Sequence, residues 1–144
     1  MLPLVFVSPE QINAQLPGDI EPGQYTISIL TDGAAPVTGE FTVVRNAPGL
    51  FINHVDTTDY VVAVHEDGSP ITPTSPAKKT EVVTVLGTGF GPYRQPAIEG
   101  FAVPDTPVNP LLDPVELTAN GNKMQTTSAS AAPGFVGISA VKFR

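Results

Sequence analysis

Two histidines and four carboxylates fall close together along the chain: His54, Asp56, Asp59, His65, Glu66 and Asp67. They are its one cluster of metal-capable side chains, and there is no cysteine to add a thiolate. A zinc hydrolase would show His-Glu-x-x-His on a helix or another compact ligand spacing, and neither is present. Calcium, which prefers hard oxygen ligands from loop aspartates, suits these residues better. His54 and Asp56 share strand parity and can face one side. His65-Glu66-Asp67 sits at a turn, where carboxylates are readily solvated. The plainer reading of the cluster is therefore a set of solvated turn and edge residues.

The remaining candidates are weaker. "GTGFGP" at 87–92 has the glycines of a phosphate loop, but a dinucleotide fingerprint needs a helix after them, and here Pro92 opens a proline-rich stretch. Strand-end turns that need positive φ account for these glycines. Nucleophilic catalysis would need a serine or threonine with a histidine base and an orienting acid, and no G-x-S-x-G elbow occurs. Ser8-Pro9 is better read as a hydroxyl-capped turn. Glu81, Glu99, Asp105, Asp113 and Glu116 stand in separate contexts without the signature of a glycosidase pair. Tyr93, beside Arg94, is the one exposed-looking ring on which a sugar could stack; packing over a sheet is its competing use. No residue is assigned a catalytic, cofactor-binding or metal-binding role, no cofactor is implied, and the expectation is a protein that is not an enzyme.

The elements that would carry these side chains are strands. In "GQYTISILTDG" Tyr25, Ile27 and Ile29 alternate with Thr26, Ser28 and Leu30, and Asp32-Gly33 supplies a turn into "GEFTVVRN", so the two runs predict a hairpin. "DYVVAVHEDGS" predicts a strand ending at Asp67-Gly68. "KTEVVTVLGTGFGP" is the most apolar run and predicts a strand buried on both faces. Asn120-Gly121-Asn122 marks a tight hairpin. "GFVGISAVKFR" predicts a last strand with a glycine bend. In "SPEQINAQL" the alternation of Ile12, Ala14 and Leu16 favours a turn and strand over a capped helix. Sixteen prolines and thirteen glycines would break any long helix. Together these signals predict an all-β sandwich, with a unit boundary near residue 46 and a long loop over the sheet surface at 92–114. A net charge of −7 with scattered bases argues against nucleic acid. No apolar run is long enough for a membrane helix, and "MLPLVFVSPE" lacks the basic start of a signal peptide.

The phrases "VSPEQINAQLP" (7–17), "APGLF" (47–51), "HEDGSPITPTSPA" (65–77), "EVVTVLGTGFGP" (81–92) and "APGFVG" (132–137) resemble, in order, an uncharacterised C-terminal domain family abundant in Solibacter-type Acidobacteria, related to the immunoglobulin-like TIG (IPT) domains. The chain departs from its pattern at Glu10, where glycine is usual, and at His65-Glu66, where Asn-Gln is usual. The resemblance implies an immunoglobulin-like β-sandwich. Residues 1–46 would be the later strands of a first unit and 47–144 a nearly complete second unit. The closing "APGFVGISAVKFR" laid on "PLVFVSPEQINAQ" would then mark equivalent strands. It also implies a structural or adhesive module from the C-terminal region of an exported protein, at the cell surface, whose partners are other domains of the same polypeptide, a surface partner, or itself through open sheet edges. The alternatives are a carbohydrate- or calcium-binding module acting through the loops around 54–67 and 92–114, and an accessory domain of an extracellular enzyme. The family supplies no catalytic residue to carry over.

Overall fold

A computed structural model describes all 144 residues. The chain is all-β, with thirteen strands and no helix. Residues 1–46 form two antiparallel hairpins. The first pairs β1 (Leu4–Val7) with β2 (Ile12–Ala14), and the second pairs β3 (Gly23–Ile29) with β4 (Val37–Val43) in an unbroken register. Between β1 and β2, Ser8 Oγ accepts from the backbone N–H groups of Glu10 and Gln11. That is the hydroxyl-capped turn expected at Ser8-Pro9, and it leads to a strand as the alternation required.

The main sheet lies in the rest of the chain. Its centre is β9 (Val83–Thr88), flanked on one side by β13 (Ser139–Phe143) and then β12 (Thr126–Ala131), all antiparallel. On its other side β9 pairs with two short strands, β5 (Gly49–Leu50) and β8 (Ala63–Val64). Between those two the chain makes an excursion, the hairpin of β6 (Ile52–Val55) and β7 (Thr58–Val61). Hydrogen bonds from Phe51 N to Leu86 O, Val62 N to Phe51 O and Leu86 N to Val62 O close its root on β9. The expected single strand over 59–68 is therefore two strands broken at Val62. A last hairpin pairs β10 (Leu117–Ala119) with β11 (Asn122–Met124), with Asn120 (φ 49°) and Gly121 (φ 78°) in its turn. Two consecutive positive-φ residues are what a right-twisted two-residue hairpin demands.

Register and pleat put Val83, Val85, Ala63, Val141 and Phe143 on one face of the main sheet, and Thr84, Leu86, Ala140 and Lys142 on the other. Val83, Thr84 and Val85 are all buried, so β9 is covered on both faces, as its continuous apolar run predicts. The other buried side chains include Val141, Ala140, Ala131, Val103, Leu111 and His65. No residue before His65 is buried. The hydrophobic core therefore belongs to the second part of the chain alone.

The stretch 92–114 departs from the expected cover. Leu111 N donates to Ala129 O and Ala131 N to Asn109 O, so 109–111 runs beside β12 as an added edge. Arg94 N and Leu112 N then bond to Pro110 O and Pro92 O. The prolines stand where no ladder donor is needed, which is why the segment serves an edge and could not serve the centre. The two similar phrases also part company. Ile12–Ala14 and Val141–Phe143 are strands in both, whereas Leu4–Val7 is a strand and 133–136 is not, with Gly134 at φ 78°. Pro133 and Gly134 make a turn where the first phrase extends.

Candidate functional site

The six metal-capable residues at 54–67 are not brought together; no three histidine or carboxylate side chains in the chain converge on a common point. The cross-strand register of β6 and β7 sets His54 opposite Asp59, and Nδ1 lies 2.7 Å from Oδ1. Both side chains are about two-thirds exposed, so the pair is solvated. Asp56 is spent on the turn, at φ 55°. Asp67 turns back on its own loop, accepting from Ser69 N (2.9 Å) and Ser69 Oγ (2.6 Å). Those bonds hold its carboxyl below the usual range.

His65 behaves differently from its neighbours. It is buried and donates from Nδ1 to Glu81 Oε1 at 2.7 Å. Its Nε2 lies 3.2 Å from both Ser75 Oγ and the Ser75 carbonyl oxygen. Glu81 Oε2 accepts from Lys78 N at 2.8 Å, and this bond, followed by the one from His65, pulls its carboxyl below the ordinary value. Serine, histidine and glutamate thus stand in the order of a nucleophile, base and orienting acid. An oxyanion needs preorganised N–H donors, commonly that of the residue after the nucleophile. That residue is Pro76, which has no N–H, and Ser75 N is already given to Thr72 O and Oγ1, both at 3.0 Å. The three groups staple the 71–77 loop to the end of β8 and to the start of β9. The sequence spacing of 10 and 16 residues hid this trio, which only the fold of the loop assembles.

A second clasp lies at the opposite end of β9. Arg45 donates from Nε and an Nη to the two oxygens of Asp113, both at 2.8 Å, and Asn46 Nδ2 adds a third bond at 3.1 Å. These hold the Asp113 carboxyl below its ordinary range, the Arg45 bond contributing most. Ala47 N donates to Gly89 O. The glycines of 87–91 make this approach possible: a Cβ on Gly87 would strike the Gly49 carbonyl, one on Gly89 (φ 75°) the Ala47 carbonyl, and one on Gly91 the Asn46 amide. Their role is close backbone packing, as the absence of a following helix suggested.

Tyr93 is turned inward. Its hydroxyl donates to Ile138 O (3.3 Å) and bonds Ser139 Oγ (2.9 Å), and burial raises its pKa. Of the two uses weighed for this ring, it is packing over a sheet, not stacking on a sugar, that the structure shows: the segment 92–94 curls the ring over the start of β13. Glu99 and Asp105 lie on loops, and Glu116 pairs with Lys123 across β10 and β11 at 2.5 Å, both largely exposed.

A groove of about 440 Å³ has a predominantly apolar lining. Buried Val83 and Val85 contribute, with Leu50, Tyr60, Leu117 and Phe143 around them. Part of the rim is the stapled loop, through Ile71 and Ala77. It offers contact area and almost no polar chemistry. Compared with known proteins, the chain matches no family model, no curated protein and no solved structure.

Proposed function

We propose that this chain is a non-enzymatic, immunoglobulin-like β-sandwich module with a structural or adhesive role in an exported bacterial protein, comprising the later strands of one unit (1–46) and most of a second (47–144). The observation that carries the reading is the use made of polar side chains. His65, Glu81 and Ser75 are consumed in stapling a loop, and Arg45, Asn46 and Asp113 in clasping the root of the second part. Tyr93 is consumed in closing an edge. Groups that a catalyst or lectin would present to a ligand are here turned into fasteners. A rigid antiparallel sheet with loops at its ends suits a spacer or a presenter of loops. The resemblance of the ordered phrases to the acidobacterial C-terminal family favours the same role.

Two measurements test it. Antibodies raised against the chain should label the outside of intact source cells; label confined to the cytoplasm would overturn the exported role. A fluorophosphonate probe should leave the protein unmodified. Labelling at Ser75 that disappears in Ser75→Ala would overturn the non-enzymatic reading.

A further inference from the structure

The stapled loop reads "SPITPTSPA" over residues 69–77, with proline at every third position from Pro70 and hydroxyl side chains at Ser69, Thr72, Thr74 and Ser75. Its tip is a tight turn: Thr72 and Ser75 exchange backbone hydrogen bonds, both at 3.0 Å, with Pro73 and Thr74 between them. Proline at the first of those two positions presets the φ that such a turn requires. The tip is held on both sides, by Ile71 N bonded to Ala63 O and by the contact of His65 with Ser75. Residues 72–77 are exposed throughout. Most of the hydroxyls are nonetheless committed. Ser69 Oγ donates to Asp67 at 2.6 Å, Thr72 Oγ1 accepts from Ser75 N at 3.0 Å, and Ser75 Oγ meets His65 Nε2 at 3.2 Å. Thr74 Oγ1 has only the neighbouring hydroxyl of Thr72, at 3.2 Å. Thr72 also borders the apolar groove, and Thr74 does not.

We propose that Thr74 is an O-glycosylation site: its hydroxyl, presented at the tip of a fastened loop, takes a sugar from a separate transferase whose donor is a sugar phosphate ester. The inference rests on the exported role proposed above. Thr74 Oγ1 attacks the anomeric carbon, and the new C–O bond forms as the bond from that carbon to the donor's phosphate oxygen breaks. The phosphate leaves with the electron pair, and the hydroxyl proton passes to a base of the transferase. Serine and threonine interleaved with proline are the composition of O-glycosylated stalks, which an enzyme can reach because such a segment does not pack into a core. The fold adds the selection of one hydroxyl, since exposure and the shortage of hydrogen-bond partners coincide at Thr74. A phosphate is the poorer occupant. It is ordered by arginine or lysine partners and repelled by carboxylates, and residues 65–77 supply Glu66 and Asp67 and no lysine or arginine. A bulky, solvated sugar suits an exposed tip and shields the kind of loop at which proteolytic nicking concentrates.

Mass spectrometry of the chain isolated from its source cells, with electron-transfer fragmentation of the peptide spanning 69–77, should place the mass of a sugar on Thr74. Expressed in the same cells, Thr74→Val should lose that mass entirely. Thr74→Ser should keep it, because the acceptor hydroxyl is retained, and Ser75→Ala should leave it on Thr74. A bare Thr74 in protein recovered from the cell surface would overturn the proposal and leave the exported role standing. A bare Thr74 in protein confined to the cytoplasm would overturn both. A sugar carried by Thr72 or Ser75 instead, or a phosphate on Thr74, would overturn the assignment as well.

Discussion

At the residue scale, His65 shows how a polar group becomes structural. Its ring is buried between Glu81 and Ser75, so its removal takes one hydrogen bond from the Glu81 carboxylate and frees a loop. His65→Ala should lower stability by about 1–3 kcal/mol, read as a lower denaturant midpoint with an unchanged slope. The same bonds set a pH dependence. Glu81 and Asp113 have folded pKa values depressed below their ordinary ones. The unfolded chain therefore binds protons first on acidification. Their stabilisation is fully present above the ordinary carboxylate range, about pH 5, and is lost as pH falls through the folded values. The melting temperature should drop on acidification below about pH 5, and Glu81→Gln combined with Asp113→Asn should flatten that drop. Thr126 presents the reverse case, a buried hydroxyl with no partner. Thr126→Val keeps the shape and removes the orphan, and should raise stability by about 0.5–1 kcal/mol in a melting curve.

At the element scale, the end of β9 depends on glycine. Gly89 has φ 75° and lies against the Ala47 carbonyl. Gly89→Ala should cost about 2–3 kcal/mol, the sum of positive-φ strain and displacement of the linker, measured by chemical denaturation. The hairpins of β3–β4 and β10–β11 were legible because strict alternation and turn dipeptides are local signals, acting over a few residues. The β6–β7 excursion was not legible. "NHVDTTDYVV" carries no Asn-Gly or Asp-Gly pair, and its tight turn instead places Asp56 at φ 55°. The prolines at 92–114 were enough to exclude a central strand, but neighbouring β12 is what made an edge of them.

At the scale of the whole molecule, stability is unevenly distributed. Every buried residue lies from His65 onward, while 1–46 holds two hairpins with open apolar faces. Hydrogen exchange should therefore protect β9 and β13 most. Amides of β3 and β4 should exchange faster than those of β9 and β13. Equal protection of both parts in dilute solution would contradict this ordering.

The sequence alone determined the all-β class, the strand periodicity, the central place of Val83–Thr88 and the structural use of the glycines near 89. These follow from backbone propensity, pleat and steric freedom, which each short segment carries with it. Only the tertiary structure decided which polar groups meet. His65 was placed among solvated turn residues by its neighbours in the chain, and Tyr93 looked exposed beside Arg94. Their partners, Glu81, Ser75 and Ser139, come from segments 10 to 46 residues away. Contacts at that separation depend on how the sheet edges curl, and no local pattern encodes that.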